Sequence, residues 1–217
     1  MRIRIYLPCF LMVLFLSACA LLESKPDVIK HPSSWLDTLP GAEDCLLPCW
    51  KGITPGLTTF EQAMSLLNQR KDMKSVQSIE RVNTLAGTFT TLPGEGNGRI
   101  DTAYDKNIVD SISLNVKIDE IFTLEDAISR LGPPSGIMVL PRGMEHCTND
   151  VIFKKMQVSL VLEQDCRIVK QGNQDFYSFV VEKSTPVRVI LILSESSIDS
   201  LIKQGFIIWN GFGEYKY

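Results

Sequence analysis

The chain has 217 residues, 45% of them hydrophobic and 22% charged, with a formal net charge of −3. That length suffices for a full core in one or two domains, and the composition excludes wholesale disorder. A mildly acidic chain without a basic block argues against a nucleic-acid partner, and against attachment to an anionic membrane by charge alone.

Residues 1–18 set Arg2 and Arg4 ahead of an apolar run at 7–16 and the small pair Ser17-Ala18. This is the layout of a secretory signal. Even extended to Leu22 the run is about 16 residues, short of the roughly 20 that span a bilayer as a helix. Leu16-Ser17-Ala18-Cys19 resembles the lipobox of bacterial lipoproteins. The resemblance implies cleavage before Cys19 and diacylglycerol on its sulfur. Acylation contributes about 0.8 kcal/mol per buried CH₂, so two or three chains would hold the protein where one holds only marginally. The expected location is outside the cytoplasm, on a membrane of the bacterial cell envelope. Loss of the signal removes two positive charges and leaves −5.

Residues 19–44 read as a tether, with Pro26, Pro32 and Pro40 and few apolar side chains apart from Trp35 and Leu36. A flexible chain of that length reaches about 25–30 Å. His31 lies within it.

Of six cysteines, Cys9 leaves with the signal and Cys19 takes lipid, so four remain. An even number in an exported chain points to disulfides, with three possible connectivities. The preferred one is Cys45–Cys49 and Cys147–Cys166. The second pair brackets a hairpin of strands at 151–154 and 157–162, with Lys155-Met156 near its turn, and antiparallel pairing would bring the two thiols together. A zinc site of these thiols with His146 lacks the usual paired ligand spacing. A nucleophilic Cys147 activated by His146 is opposed by the alternation of adjacent strand residues. No catalytic, cofactor or metal residues are expected.

The stretch 45–67, CLLPCWKGITPGLTTFEQAMSLL, carries the first of two helices written alike. Residues 59–67 and 123–131 match at five of nine positions: Thr59/Thr123, Glu61/Glu125, Ala63/Ala127, Ser65/Ser129 and Leu67/Leu131. Apolar residues recur at i, i+3, i+4 and i+7 in both, which makes one buried stripe. Thr59 and Thr123 are expected N-caps, with Gln62 and Asp126 as capping-box partners. Asn68 and Gly132 align as left-handed closing residues, and Pro133-Pro134 ends the second helix. First-turn carboxylates Glu61, Glu125 and Asp126 suit the helix dipole better than acid–base chemistry.

After each helix the period turns to alternation. Strands are expected near 76–83, 86–92, 99–104 and 108–118, where Ile108, Ile112, Leu114, Val116 and Ile118 share one parity. Asn97-Gly98 reads as a hairpin turn rather than part of a phosphate loop, because a strand follows. The second half continues with strands at 137–140, 151–154, 157–162, 176–182 and 187–193. A helix at 197–204 closes at Gly205, and 206–209 is a last strand. The class is α+β: helix then antiparallel strands, twice over, in one continuous sheet with helices on one face. The expected organisation is signal 1–18, tether 19–44, first unit 45–118 and second unit 119–217.

The helix pattern with Gly52-Ile53-Thr54 and Gly132-Pro133 resembles the repeat of β-lactamase-inhibitor-like proteins, which the small lipoprotein of the outer-membrane β-barrel assembly machinery shares. CLLPCWKGITPGLTTFEQA at 45–63 and WNGFGEY at 209–215 resemble a group of bacterial lipoproteins from which no function carries over. Inhibitor-type repeats imply a concave sheet that grips a protein partner. The leading expectation is a lipid-anchored binding or scaffold protein without catalysis. Its contact surface would be the sheet face or the C-terminal segment of Phe206, Ile207, Ile208, Trp209, Phe212, Tyr215 and Tyr217. The alternatives are an inhibitor or sensor gripping an exported enzyme or envelope component, and a hydrolase using two carboxylates in a cleft.

Overall fold

The computed structural model describes residues 31–32, 45–81, 84–91, 96–104, 106–117, 120–141, 147–162, 164, 167–171 and 174–216. Cys19, Trp35, Leu36, His146 and Cys166, like the whole signal segment, lie outside them.

Helices α1 (Phe60–Gln69) and α2 (Leu124–Leu131) form where the two matching sequences lie. Each opens with a complete capping box. Thr59 Oγ1 accepts from Gln62 N at 3.2 Å while Gln62 Oε1 accepts from Thr59 N at 3.0 Å. Thr123 and Asp126 repeat the exchange at 3.2 and 3.0 Å. Two amide donors without helical partners are thereby satisfied at each start. Phe60, Ala63 and Leu67 of α1, and Leu124, Ala127 and Leu131 of α2, are the buried stripes. Gly132, at φ +78°, closes α2. Asn68 does not close α1: it stays helical, its Nδ2 donating to Met64 O at 2.9 Å, and Arg70 ends the helix in an extended conformation. The amide side chain found a carbonyl inside the last turn, which removed the need for a left-handed residue.

Four strands follow α1: β2 (Met73–Arg81), β3 (Thr84–Thr91), β4 (Asn97–Thr102) and β5 (Val109–Asn115). The short β1 (His31–Pro32) pairs in parallel with β6 (Glu120–Ile121), so two residues of the stretch read as tether are tied to the body by backbone. After α2 come β7 (Gly136–Pro141), β8 (Cys147–Phe153), β9 (Val158–Leu162), β10 (Arg167–Gln171), β11 (Gln174–Val181) and β12 (Val187–Leu193). Helix α3 (Glu195–Gln204), β13 (Ile207–Ile208) and β14 (Gly213–Lys216) complete the chain. Residues 31–217 make one compact unit.

Nine strands form one sheet in the order β13-β7-β8-β9-β12-β5-β4-β3-β2, and β10-β11-β14 form a small second sheet. The fold is therefore α+β with a continuous antiparallel sheet: two four-strand meanders abut through their last strands, β5 and β12. Ser113 faces Leu191, flanked symmetrically by Ile112↔Ile192 and Leu114↔Ile190. A two-fold pseudo-axis through the Ser113–Leu191 pair maps one half of the sheet on the other. The helix-to-sheet ties obey it as well. Phe60 N donates to Asn107 O at 3.0 Å and Val109 N to Thr58 O at 2.9 Å; Leu124 N donates to Thr185 O at 3.0 Å and Val187 N to Phe122 O at 2.8 Å. The hairpin β10–β11, inserted between β9 and β12, is the second half's main departure from the plan.

Helices α1 and α2 pack on one face, the front, against Phe89, Ile100, Ile112, Val151, Leu160 and Ile190. Helix α3 lies on the back, where Ile198 packs with Met138, Ile152 and Leu193. Two helices share a face and the third takes the opposite one. Asn97 and Gly98 are not a turn but the first residues of β4, paired with Thr90 and Phe89. Glycine is needed at 98 because a Cβ there would lie 2.6 Å from Phe89 Cε2 and 2.8 Å from the Ser113 carbonyl oxygen. The single parity expected from 108 to 118 also fails. A bulge in the β4–β5 ladder makes Val109 inward-facing together with Ile112 and Leu114. The strands β10 and β14 escaped the sequence reading, and α3 begins at Glu195, capped by Ser194.

The loop before α1 is tied to the turn after it. Asp72 accepts from Lys51 Nζ at 2.7 Å and from Arg70 Nε at 2.9 Å. Partial burial pushes its carboxyl upward, but the hydrogen bonds and charges of Arg70 and Lys51 outweigh that and hold it at about 2. A depressed carboxyl contributes stability above the unfolded-state value of about 3.9 and loses it as pH falls through the folded value. Asp72→Asn is expected to cost less than about 1 kcal/mol at neutral pH, because the pair is solvent-screened. The gap from the wild type should close between about pH 4 and pH 2 in denaturant titrations. Thr59→Ala and Thr123→Ala should each cost about 0.5–2 kcal/mol, with additive effects in the double variant.

Candidate functional site: the groove beneath α3

The same bulge occurs in both halves: between Asp101 and Thr102 of β4 opposite Val109–Ser111, and opposite Val187–Val189 in the β9–β12 ladder. In the first half it turns Asp110 onto the back face, beside Ser111. There α3 is fastened to it. Ser194 N donates to Asp110 O at 2.8 Å, and the Ser194 and Ser197 hydroxyls donate to Asp110 Oδ1 at 2.6 and 2.8 Å. The pseudo-axis equivalent of the first bond is Val116 N to Arg188 O, also 2.8 Å. Asp110, from the first half, thus anchors a helix that covers the second.

Between α3 and the back of the sheet runs an open groove of about 400 Å³. Its floor is Leu140, Val161, Leu191 and Leu193, and its helical wall is Ser197, Ser200 and Leu201. Asp110 and Ser111 line one end, Thr148 and Asp150 the other. Asp150 is 3% exposed and accepts from Ser159 Oγ at 3.3 Å. Thr148 Oγ1 is buried and, among the described residues, has no hydrogen-bond partner. None of the described lining residues is a lysine, arginine or histidine. Carboxylate and hydroxyl side chains thus border an aliphatic base in this groove. Sequence reasoning missed it because Asp110 and Asp150 are 40 positions apart in the chain, and only the bulge and the strand order bring both to one face.

Cys45 and Cys49 form a disulfide. Cys147 is disulfide-bonded too; the partner expected for it, Cys166, lies outside the described residues, as does the lipidation residue Cys19. Among the described residues no three histidine, cysteine or acidic side chains gather to hold a metal ion. No described helix is long and apolar enough to cross a membrane. Of the first-turn carboxylates, Asp126 is held in its capping box and Glu125 pairs with Lys183 at 2.8 Å. The C-terminal aromatics divide. Tyr215 is buried, stacks on Phe179 at 5.6 Å, and donates to Gly211 O at 2.6 Å. Trp209 packs beside it, while Ile208 and Phe212 stay exposed.

No protein-family model, curated protein or solved structure matches the chain.

Asp110→Ala would leave the Ser194 and Ser197 hydroxyls without their acceptor at the start of α3. The expected cost is about 1–3 kcal/mol. Hydrogen exchange should show early loss of protection in 195–204 while the β5–β12 ladder stays protected.

Proposed function

We propose that the protein is a lipid-anchored binding protein of the bacterial cell envelope, without catalysis, which presents the back of its sheet to a partner outside the cytoplasm. The observation that carries this reading is the groove beneath α3, which is open, spans both halves of the sheet and rests on a rigid ladder. A large sheet with a preformed concavity suits recognition, since little ordering is needed on binding. The sequence of Leu16-Ser17-Ala18-Cys19 supports the anchor. The rival reading, a hydrolase using two carboxylates, meets the difficulty that Asp110 is engaged in fastening α3 through both serine hydroxyls.

The anchor and the surface are tested separately. Membranes from cells expressing the full chain should retain it through high-salt washing, and Cys19→Ser should release it or leave it unprocessed. Intact mass of the membrane form should show a chain beginning at residue 19 with added acyl groups. For the surface, a photo-crosslinker placed at Ser113 should capture one discrete partner at both anchored and Cys19→Ser protein. Hydrolysis of an envelope substrate by purified protein, abolished by Asp150→Asn, would overturn the non-catalytic reading.

A further inference from the structure

We propose that the Cys45–Cys49 disulfide is an exchangeable pair that oxidises an exposed dithiol of another exported protein, one bond per chain. The inference goes beyond the binding surface, uses none of the groove beneath α3, and takes only the extracytoplasmic location from that reading. It rests on how the loop ahead of α1 is built. Trp50, Lys51, Gly52 and Ile53 form a tight hairpin: Trp50 N donates to Ile53 O and Ile53 N to Trp50 O, both at 2.9 Å. Lys51 and Gly52 take left-handed φ values of +50° and +84°, as a two-residue turn of this kind requires. Neither of those bonds uses the Gly52 N–H, which donates instead to Cys45 Sγ at 3.4 Å. A neutral sulfur is a weak acceptor, whereas hydrogen bonds to an ionised acceptor are roughly twice as strong. The turn therefore suits Cys45 better as a departing thiolate than as half of a bond.

The bond is also within reach, and the fold has little need of it. Cys45 and Cys49 are half-buried, and Leu46 between them is 75% exposed. Pro48 borders an open cleft of about 430 Å³ that the exposed Leu57 also lines, so a partner segment has room and apolar side chains beside the bond. A ring closed over three intervening residues takes little freedom from the unfolded chain, and it stabilises correspondingly little. The loop has other fastenings. Cys49 N donates to Leu46 O at 2.9 Å, and the buried Trp50 stacks on Phe89 at 5.3 Å. Cys147, by contrast, is buried, and its disulfide is shielded.

Exchange runs in two displacements. The partner's first thiolate bonds to Cys49 Sγ, and Cys45 Sγ leaves with the electron pair of the broken bond, received by the Gly52 N–H. The partner's second thiolate then bonds to its own first sulfur, and Cys49 leaves as a thiolate. The partner loses two electrons, this chain gains them, and two protons pass through solvent from the partner's thiols to Cys45 and Cys49.

The test uses the full oxidised chain purified in detergent, mixed without air with reduced glutathione or with the reduced peptide Leu-Cys-Gly-Gly-Cys-Leu. Rapid alkylation and peptide mass mapping then report the state of each cysteine over time. The Cys45–Cys49 bond should open at least about tenfold faster than the Cys147 bond. With glutathione, the mixed disulfide should sit on Cys49 and the alkyl group on Cys45. The peptide should end as its internal disulfide, one for each chain reduced. The double variant Cys45→Ser/Cys49→Ser should lose that oxidation while its thermal transition stays within about 10 °C of the wild type. Equal opening of the two bonds, glutathione chiefly on Cys45 or equally on both cysteines, or a peptide left as the dithiol would overturn the proposal. Loss of the fold in the double variant would overturn it too, by making the bond structural. None of these readouts involves the lipid or the groove, so their failure would leave the binding function standing and remove only the exchange.

Discussion

The antiparallel ladder between β5 and β12 is the contact on which the rest depends. Each meander alone is a four-strand sheet that leaves the outer edge of its last strand unpaired, and an unpaired edge both wastes hydrogen bonds and invites wrong partners. Joining the two leftover edges removes both problems and fuses two small cores into one. The Ser113–Leu191 centre fixes the register, since Ile112, Leu114, Ile190 and Ile192 must all face α1 and α2 together. A slip by one residue would turn all four to the back. Register and burial therefore enforce each other across the joint.

The two bulges follow from the same joint. Each last strand must meet a neighbour on both sides and also receive the helix start, through Val109 N to Thr58 O in one half and Val187 N to Phe122 O in the other. The extra residue lets the strand make that turn while Ile112 and Ile190 stay inward. Its by-product is a side chain re-aimed onto the back face. In the first half that residue is Asp110, and the chain uses it to hold α3. The groove arises because α3 is pinned at its first turn by Asp110 and packs through Ile198 and, farther along, Leu201 and Ile202, so the sheet beneath its polar flank is left open.

How much of this was legible in sequence depends on the range of the signal. Caps, stripes and the α+β order are local, and TFEQAMSLL and TLEDAISRL stated them outright. The Cys45–Cys49 pair was local too. What failed was decided by distant partners. Asn97-Gly98 looks like a turn until Phe89 comes across the sheet and requires a glycine under its ring. Asn68 looks like a helix stop, yet the Met64 carbonyl satisfies it within the last turn. The alternation from 108 to 118 concealed a bulge because Ile108 and Val109 are both apolar, so either parity reads as plausible. The groove had no local mark at all. Its acids sit on separate strands, and a lone aspartate in a strand resembles any solvated residue.

The back face shows why pseudo-symmetry of backbone did not become symmetry of function. One row crosses the joint with Ile152, Ser159 and Leu191 on the second half, facing Ser113, Arg99 and Thr88 on the first. The two-fold sets Ile152 against Thr88 and Leu191 against Ser113. An amphipathic helix finds an apolar seat on one side and hydroxyls with a charged Arg99–Asp101 pair on the other. Burying those polar groups under an apolar helix without new hydrogen bonds would cost more than the contact returns. So α3 occupies the second half and stops at the joint, where Asp110 holds its first turn. The groove follows the helix so placed: it lies chiefly on the second half and reaches the joint at Asp110 and Ser111.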